Sequence, residues 1–431
     1  MRIPWKHLAC IVLLAVACAP ARQPVAGRVP VEVLVNGVDG GKNARDVEWL
    51  RRIEPWLERE LPGVDVLIAT DGGSDESYKA RLVLDLYGGR GSDVISFDSF
   101  WTAGMASAGL LLPLDPFLRD WDEWRFYPES MRAMGSYGGK TYLVPFLTDV
   151  RGLYYRQDLF RQAGIPLPWR PRSWEDVFQA GEQLQALPGV IPIQWNAGTA
   201  AGEATTMQGI LPVLLSAGGQ LHDGRQWVVS GRPLEQTLEF YRELYVRRRL
   251  ADVALQLDPK GRERSFELFR DGKIGIYPEG TYMWLGVLRP GQTWGIPNRD
   301  EVVDWAPMPA LAGGVVSVSG GNGYILNQNS AHPEASWQVL RLMASRRSQE
   351  VRMELSPFVP PRTDLTGLLG DDPVLQRQLR EALPLTTFRP GLPLYPRVSE
   401  RLQQAVERVI QGQSPSDSLE RYAREVRRLV E

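Results

Sequence analysis

Strand-like and helix-like segments alternate from Val29 to Asp98, and this order constrains the fold more than any other feature of the chain. Strands are predicted at Val29–Gly37, Val64–Thr70 and Ser92–Asp98, with helices at Asp46–Leu61 and Ser77–Tyr87 between them. A strand–helix–strand order of this kind builds a mainly parallel sheet that helices cover on both faces. Ligands in such sheets collect at the carboxyl ends of the strands, which is where Asp98 lies.

The same alternation resumes after Pro166. At 431 residues, the chain is too long for one ordinary core. Further helices are predicted at Ser173–Leu187 (with Ser173 as N-cap), Met207–Ala217, Pro233–Arg248 and His332–Ser345, and two more between Ser399 and Glu431. Further strands are predicted at Val190–Trp195 and Gly272–Gly280, and a strand broken by glycines at Val315–Asn327. Two lobes or domains follow from this length and order.

The amino-terminal segment has the pattern of an export signal. A basic start precedes the apolar run Leu8–Cys18, which is too short to cross a bilayer comfortably. Residues 1–18 resemble a bacterial lipoprotein signal, which implies that Cys18 becomes the lipidated first residue of the mature chain; an ordinary signal peptide cut nearby is the alternative. Cys10 would leave with the signal, so no disulfide forms in the mature protein. Residues 19–30 are predicted to be a flexible tether, and the protein to be exported.

The overall composition excludes some partners. A hydrophobic content of 43% and a charged content of 23% are typical of a soluble globular protein. The formal net charge of −2 gives no electrostatic reason to expect nucleic acid as a partner. The 14 tryptophans suit either a large core or stacking against sugar rings.

Seven segments, spread over residues 92–402, carry a resemblance to a known family. They include "SDVISFDSFW", "YLVPFLTDVRGLYYRQDLF" and "FRPGLPLYPRVSERL", and they span Ser92–Asp115, Tyr137–Ile165, Ser173–Gly181, Leu214–Gly219, Phe269–Trp284, Ser319–Met343 and Phe388–Leu402. No single segment is diagnostic. In their joint order they resemble the extracellular solute-binding proteins of ABC importers, and within these the maltose- and trehalose-binding group.

The resemblance implies an α/β fold like that of the periplasmic binding proteins, with two α/β lobes joined by a multi-crossing hinge and closing over a solute. The three crossings would fall near Leu147–Leu153, near Val303–Pro309 and around Ser345. The N-terminal lobe would then comprise residues 31–148 and 307–345, and the C-terminal lobe residues 149–306 and 346–431.

A sugar ring carries hydroxyl groups around an apolar face, and this chemistry selects the candidate ligand residues. Carboxylates accept hydroxyl hydrogens in charge-assisted hydrogen bonds, which are about twice as strong as neutral ones, while aromatic rings cover the apolar face. The residues that match family positions or suit this chemistry are Asp98, Trp101, Asp149, Glu203, Gln208, Glu279, Tyr282, Gly320, Gly321, Asn322 and Arg389.

Each candidate has a structural alternative. Asp98 and Trp101 stand in the family's D-x-x-W, whose Asp contacts sugar hydroxyls; alternatively Asp98 caps the following helix and Trp101 belongs to the core. Asp149 matches a position in the cleft of the family, and its alternative is a salt bridge to Arg151 or Arg156 that braces the hinge.

Four candidates lie in the predicted C-terminal lobe, where this sequence differs from the family at several positions. Glu203 falls close to where sugar-binding relatives present a Glu, and Gln208 is its rival for that place. Tyr282 takes a stacking position, while Glu279 replaces an Asn of the family and Gly280 a Trp.

The remaining candidates lie in two late segments. Gly320 and Gly321 would let a ligand approach main-chain N–H groups, and their alternative is a bulge without a ligand. Asn322 stands where relatives often have Trp, so it can hydrogen-bond a hydroxyl but cannot stack. Arg389 matches an Arg that reaches the sugar in trehalose-type relatives, and its alternative is a structural pair to a carboxylate.

Other functions fit the sequence less well. A glycoside hydrolase needs an Asp or Glu pair at a set separation, and carboxylates are equally expected for binding alone. The sequence has no spaced metal ligands, no phosphate-binding loop and no nucleophile elbow, so neither a metal nor a cofactor is predicted. Glycerol 3-phosphate, a polyamine or a larger oligosaccharide remains an alternative solute.

The sequence therefore predicts a monomeric, lipid-anchored binding protein on the periplasmic or extracellular face of the cell envelope, with no enzymatic activity. Its expected ligand is a disaccharide such as trehalose or maltose, held between the lobes. Its expected partners are the permease subunits of an ABC sugar importer and the membrane, reached through the lipid on Cys18.

Overall fold

A computed structural model describes residues 23–311 and 313–431. The predicted signal segment 1–18, with Cys18, lies outside the described residues. Within the described part of the chain, we find no helix that combines the length and the apolar character needed to cross a membrane.

The described residues form strands that assemble into four sheets. The strands are β1 (Val29–Val35), β2 (Val64–Thr70), β3 (Val94–Asp98), β4 (Ser136–Tyr137), β5 (Lys140–Thr141), β6 (Leu143–Thr148), β7 (Arg151–Arg156), β8 (Ile191–Ile193), β9 (Ile274–Gly280), β10 (Val303–Ala306), β11 (Met308–Pro309), β12 (Val315–Ser319), β13 (Gly321–Leu326) and β14 (Thr386–Phe388).

Helices surround these sheets. They are α1 (Ala44–Glu60), α2 (Asp75–Tyr87), α3 (Thr102–Ser107), α4 (Asp115–Leu118), α5 (Glu129–Met134), α6 (Gln157–Gln162), α7 (Trp174–Gln185), α8 (Leu211–Ser216), α9 (Arg232–Arg242), α10 (Val253–Leu257), α11 (Gly261–Arg270), α12 (Arg299–Val302), α13 (Pro333–Met343), α14 (Arg346–Leu355), α15 (Pro373–Glu381), α16 (Tyr395–Ile410) and α17 (Pro415–Val430). Short 3₁₀ helices span Ser99–Trp101, Asp122–Phe126, Thr363–Leu369 and Leu383–Leu385, and π-helical turns span Thr205–Ile210, Glu243–Arg247 and Met283–Val287.

The N-terminal lobe is built on a five-stranded sheet in the order β2-β1-β3-β13-β6. Strand β1 runs parallel to both β2 and β3, as the alternating pattern predicts, while β13 enters antiparallel between β3 and β6. Helix α1 buries Trp49, Ile53 and Leu57 against one face of this sheet because these positions share one side of the helix.

The C-terminal lobe contains a four-stranded sheet in the order β10-β7-β9-β8. Unlike the parallel start of the N-terminal sheet, this sheet is mainly antiparallel, since β7 pairs antiparallel with both β9 and β10, and only β8 runs parallel to β9. The reason is topological: β7 enters directly from β6 of the other lobe, so no helical crossover sets its direction.

Three passages connect the lobes, and they meet near Thr148. The first lies between β6 and β7, within the predicted range Leu147–Leu153. The second was predicted near Val303–Pro309. In the structure, β10 hydrogen-bonds to β7 and β12 packs in the C-terminal lobe, so both strands still belong to that lobe. The chain returns to the N-terminal lobe at Ser319–Gly321.

The third passage was predicted around Ser345 and lies further along the chain. Helix α14 still packs against α1 of the N-terminal lobe. The chain then crosses at residues 356–361, where the Val359 carbonyl accepts a hydrogen bond of 3.0 Å from Thr148 N–H, and Leu365 is buried in the C-terminal core.

Candidate functional site

Asp98 lies at the carboxyl end of β3, at the seam between the lobes. Its Cα is paired with that of Asn322 on β13, so the two side chains leave the same face of the sheet. The Asp98 side chain is 30% exposed and Asn322 is exposed. As its structural alternative foresaw, Asp98 Oδ1 also accepts a hydrogen bond of 3.3 Å from Phe100 N–H at the start of the next helical turn.

Arg389 connects carboxylates of the two lobes. Its Nη2 donates to Asp98 Oδ1 at 3.0 Å, and its Nη1 donates to Glu203 Oε1 at 3.3 Å. The Arg389 guanidinium also lies 4.4 Å from the ring centre of Phe100. Arg389 follows β14, which pairs with β12 of the C-terminal lobe, so this side chain reaches across the seam to Asp98.

Two hydroxyl groups hold the Glu203 carboxylate in place. Tyr395 Oη donates to Glu203 Oε1 at 2.5 Å, and Ser399 Oγ donates to Oε2 at 2.7 Å. Ser399 Oγ is itself 2.6 Å from Thr206 Oγ1. Glu203 is therefore bound by three protein groups, counting Arg389.

Electrostatics keep the Arg389 guanidinium charged. Burial lowers the pKa of the Arg389 guanidinium, but the carboxylates of Asp98 and Glu203 raise it more, so the net pKa lies above the ordinary value for arginine. Arg389 is consequently a fixed positive charge between two negative ones.

Asp149 lies in the first passage and is buried. Its Oδ1 accepts from Arg151 Nη1 and, at 2.8 Å, from the main-chain N–H of Gly320. This geometry matches the alternative of a brace within the hinge, made to Arg151, since Arg156 pairs instead with Asp158. A ligand contact by Asp149 stays a prediction.

A second polar cluster surrounds Tyr282, just after β9. Its hydroxyl donates to Glu279 Oε2 and accepts from Gln208 Nε2 at 2.7 Å and from Arg262 Nη2 at 3.0 Å. Burial first, and then the charge of Glu279, raises the pKa of Tyr282 above its ordinary value, so the phenol keeps its proton. The sequence thus predicted three residues of this cluster, and the structure brings them together.

Four buried polar atoms in these clusters have no hydrogen-bond partner among the described residues. They are the acceptors Glu279 Oε1 and Gln208 Oε1 and the donors Arg151 Nε and Arg262 Nε. Arg262 Nε is the nearest cation to Glu279 Oε1, at 3.8 Å. A hydroxyl group, which both donates and accepts, suits such a set.

Two π-helical turns supply part of this chemistry. Thr205–Ile210 carries Met207 and Gln208, and Met283–Val287 begins directly after Tyr282. A π turn widens the helix locally and is frequent at functional sites.

Glycines make room at the seam. A Cβ on Gly320 would stand 3.5 Å from Arg389 Nη2, 3.6 Å from Arg151 Nη2 and 3.7 Å from Met207 Cε, so Gly320 borders the ion cluster. Gly321 packs under Met134 instead. A Cβ on Gly280 would meet Asp149 Oδ2 at 2.9 Å and the Tyr282 ring, so this glycine lets the ring lie beside the hinge carboxylate.

Trp101 does not join these clusters. It is 5% exposed and contacts the rings of Tyr78, Phe97 and Phe100 in the core of the N-terminal lobe, as its structural alternative foresaw. A ligand contact by Trp101 stays a prediction.

Sequence reasoning did not select four residues that the structure places at the seam: Phe100, Arg151, Arg262 and Tyr395. Arg151 was named as a salt-bridge partner of Asp149 and as a possible cation for a phosphate-bearing solute, and Arg262 lies on α11 with no motif around it. Within the described residues, no group of three or more His, Cys, Asp or Glu side chains is placed to hold a metal ion.

Comparisons with known proteins agree with this architecture. The sequence model of the family described as "Bacterial extracellular solute-binding protein" matches residues 53–350. A relative from Brucella abortus (strain 2308), named as a binding protein, is 23% identical over 394 residues, which cover 88% of each chain.

Solved structures show the same fold. An ABC transporter solute-binding protein from Thermotoga lettingae, bound with α-D-tagatose, superposes with a TM-score of 0.80 at 21% identity, covering 94% of this chain and 100% of that one. The maltose-bound MalE3 of T. maritima superposes with a TM-score of 0.77 at 20% identity, covering 93% and 100% of the two chains.

Proposed function

This chain belongs to the bacterial extracellular solute-binding proteins, and from that premise we propose that it binds a sugar between its lobes for uptake by an ABC importer. The tagatose and maltose named for the two structural neighbours support a carbohydrate as the solute class. The proposal includes no catalytic step.

The chemistry at the seam supports a solute rich in hydroxyl groups. Asp98 and Asn322 extend from the N-terminal lobe, while Tyr282 and Gln208 belong to the C-terminal lobe, so one ligand can contact both. A solute that binds both lobes stabilises the closed arrangement because it gains contacts there that the open arrangement lacks.

One observation carries the proposal most directly: the unpartnered acceptors Glu279 Oε1 and Gln208 Oε1 lie beside the Tyr282 phenol. A buried acceptor without a donor costs about 1–3 kcal/mol, which a hydroxyl hydrogen of a ligand would offset. The phenol ring beside them offers an apolar surface for the face of a sugar.

The finer proposal is a disaccharide, trehalose or maltose. It is supported by the segment Arg389–Leu402, which resembles the trehalose- and maltose-binding group, and by the maltose of one structural neighbour. We further propose that the protein is a monomer, exported and lipid-anchored at Cys18, and that it delivers its solute to the permease.

The test begins with the solute itself. Native mass spectrometry of the purified protein is expected to show a co-purifying sugar, and calorimetry is then run with trehalose, maltose, tagatose, glycerol 3-phosphate and spermidine. Binding of only the phosphate ester or the polyamine would refute a sugar solute, and binding of tagatose alone would refute the disaccharide.

Substitutions at Tyr282 then locate the site. Tyr282→Ala is expected to abolish detectable binding, while Tyr282→Phe, which keeps the ring and loses the hydroxyl, is expected to weaken it about tenfold. Tyr87→Ala is the matched control because Tyr87 is 66% exposed on α2. Equal affinity of the Tyr282→Ala and Tyr87→Ala variants would remove Tyr282 from the site.

A further inference from the structure

The ion cluster at the seam joins the two lobes through protein groups alone. Arg389 uses one guanidinium nitrogen for Glu203 and another for Asp98, so both of its ion pairs are satisfied within the chain. The Arg389 side chain is 7% exposed, and that of Asp98 is 30% exposed. This partial burial protects the pair from screening by salt better than an exposed surface pair.

Further contacts accompany this bridge. Phe100 of the N-terminal lobe packs against the core of the C-terminal lobe as well as beneath the Arg389 guanidinium. Gly391 lies near Ser136 of the N-terminal lobe, since a Cβ added to Gly391 would be 3.8 Å from the Ser136 carbonyl oxygen. Pro393 likewise lies near Gly104, since a Cβ added to Gly104 would be 4.0 Å from the Pro393 carbonyl oxygen. The segment after β14 thus lies along the rim of the N-terminal lobe.

The Glu203 carboxylate is anchored by two hydroxyl groups of one helix. Tyr395 and Ser399, one helical turn apart on α16, each donate to a different oxygen of this carboxylate. These bonds fix the direction in which Glu203 presents its charge to Arg389. A guanidinium loses conformational entropy when it bridges two partners, and prior fixation of one partner reduces that loss.

We infer that Glu203 is a positioning residue, held by Tyr395 and Ser399, that aims Arg389 at Asp98, and that this bridge closes the lobes without a solute. A solute that uses Asp98 then replaces Arg389 as the partner of that carboxylate. The inference rests on the proposed function only in that the lobes open and close around a solute.

The test measures lobe closure directly. Small-angle X-ray scattering is recorded from the mature protein, freed of co-purifying solute by unfolding and refolding, and compared with the Asp98→Asn, Glu203→Gln and Tyr395→Phe variants. We expect the compact form to predominate in the parent and its ratio to the open form to fall about tenfold in Asp98→Asn, the size of a lost charge-assisted hydrogen bond.

The two other variants test the positioning role. Neither Glu203 nor Tyr395 makes a described hydrogen bond to the N-terminal lobe, so an increase in radius of gyration in both would reflect misdirection of Arg389. Asp158→Asn is the matched control, since Asp158 also has a 30% exposed side chain and pairs with a buried arginine, but within one lobe. Its radius of gyration is expected to equal that of the parent.

The outcomes separate this inference from the proposed function. An open parent, or scattering from Asp98→Asn and Glu203→Gln identical to that of a compact parent, overturns the inference even if a sugar binds. Opening of the variants supports it even if no sugar binds. If one of these variants fails to fold, Arg389→Gln, which removes the bridging guanidinium, is expected to open the protein, and an unchanged radius of gyration overturns the inference.

Discussion

The adjacent glycines Gly320 and Gly321 provide a matched pair of substitutions with opposite expected effects on stability. Neither residue has a positive φ, so alanine suits the backbone at both positions. A Gly→Ala change at such a site stabilises a protein by about 0.4–1 kcal/mol because the unfolded chain loses freedom. Whatever distinguishes the two variants therefore comes from the space around the added methyl group.

The space differs sharply between the two positions. At Gly321 the methyl would stand 2.9 Å from the Leu147 carbonyl and 2.8 Å from Met134 Cε. The Met134 end can move, but the Leu147 carbonyl belongs to the β6–β13 pairing and cannot. At Gly320 the nearest atoms lie at 3.5–3.7 Å, which is ordinary contact.

These contacts determine how much each substitution changes the free energy of unfolding. Overpacking costs about 1–3 kcal/mol, so Gly321→Ala is expected to be destabilised by about 1–2 kcal/mol after the unfolded-state gain, and Gly320→Ala to be neutral or slightly stabilised. In a lobe of this size each kcal/mol corresponds to about 2–4 °C. The two melting temperatures should therefore differ by about 2–8 °C.

Differential scanning calorimetry of both variants and the parent measures this difference. Gly320→Ala is also expected to weaken solute binding, because its methyl group stands between Arg151 and Arg389, although its melting temperature does not fall. A melting temperature of Gly321→Ala at or above that of Gly320→Ala would refute the packing argument.

Three further predictions concern other sites. Asp98→Ala should weaken sugar binding in calorimetry by more than about 1 kcal/mol, and unchanged affinity would remove Asp98 from the site. Burial raises the pKa of Asp158 but its hydrogen bonds from Arg156 lower it more, so the folded pKa lies below the ordinary 3.8. The ion pair therefore stabilises the folded protein above pH 3.8, and this stabilisation is lost as the pH falls through the folded pKa of Asp158. Asp158→Asn should therefore have a lower melting temperature than the parent at neutral pH. An equally large difference in melting temperature at about pH 3 would contradict this. Ser173 and Asp176 form a reciprocal cap at the start of α7, so Ser173→Ala should lower the free energy of unfolding in urea by about 1 kcal/mol, and no change would show that the cap is not stabilising.

Local patterns predicted those elements whose residues determine their own conformation. The strand β2 has the bounds that its apolar run predicted, and the Ser173 cap stands where the sequence placed it. In contrast, Val315–Asn327 was predicted as one broken strand, and it forms β12 and β13 in different sheets. Both halves have a strand pattern, and only distant partners decide which sheet each joins.

The residues of the candidate site also differ in how far the sequence could predict them. The pattern placed Asp98 at a strand end, and the family resemblance brought Glu203, Tyr282 and Arg389 into consideration. The pairing of Arg389 with two carboxylates from different lobes depends on residues almost three hundred positions apart, which spacing alone does not reveal. Arg262 reaches Tyr282 from a neighbouring helix and has no local signal at all.

The meeting of three chain passages at Thr148 restricts how the halves of the molecule can move. Thr148 pairs with both Gly321 and Val359, so the three connections are hydrogen-bonded to one another side by side. Twisting or sliding one half against the other would shear these bonds, whereas bending about the line that the connections share leaves them intact. A partner protein would therefore need to sense only one angle to distinguish a closed molecule from an open one.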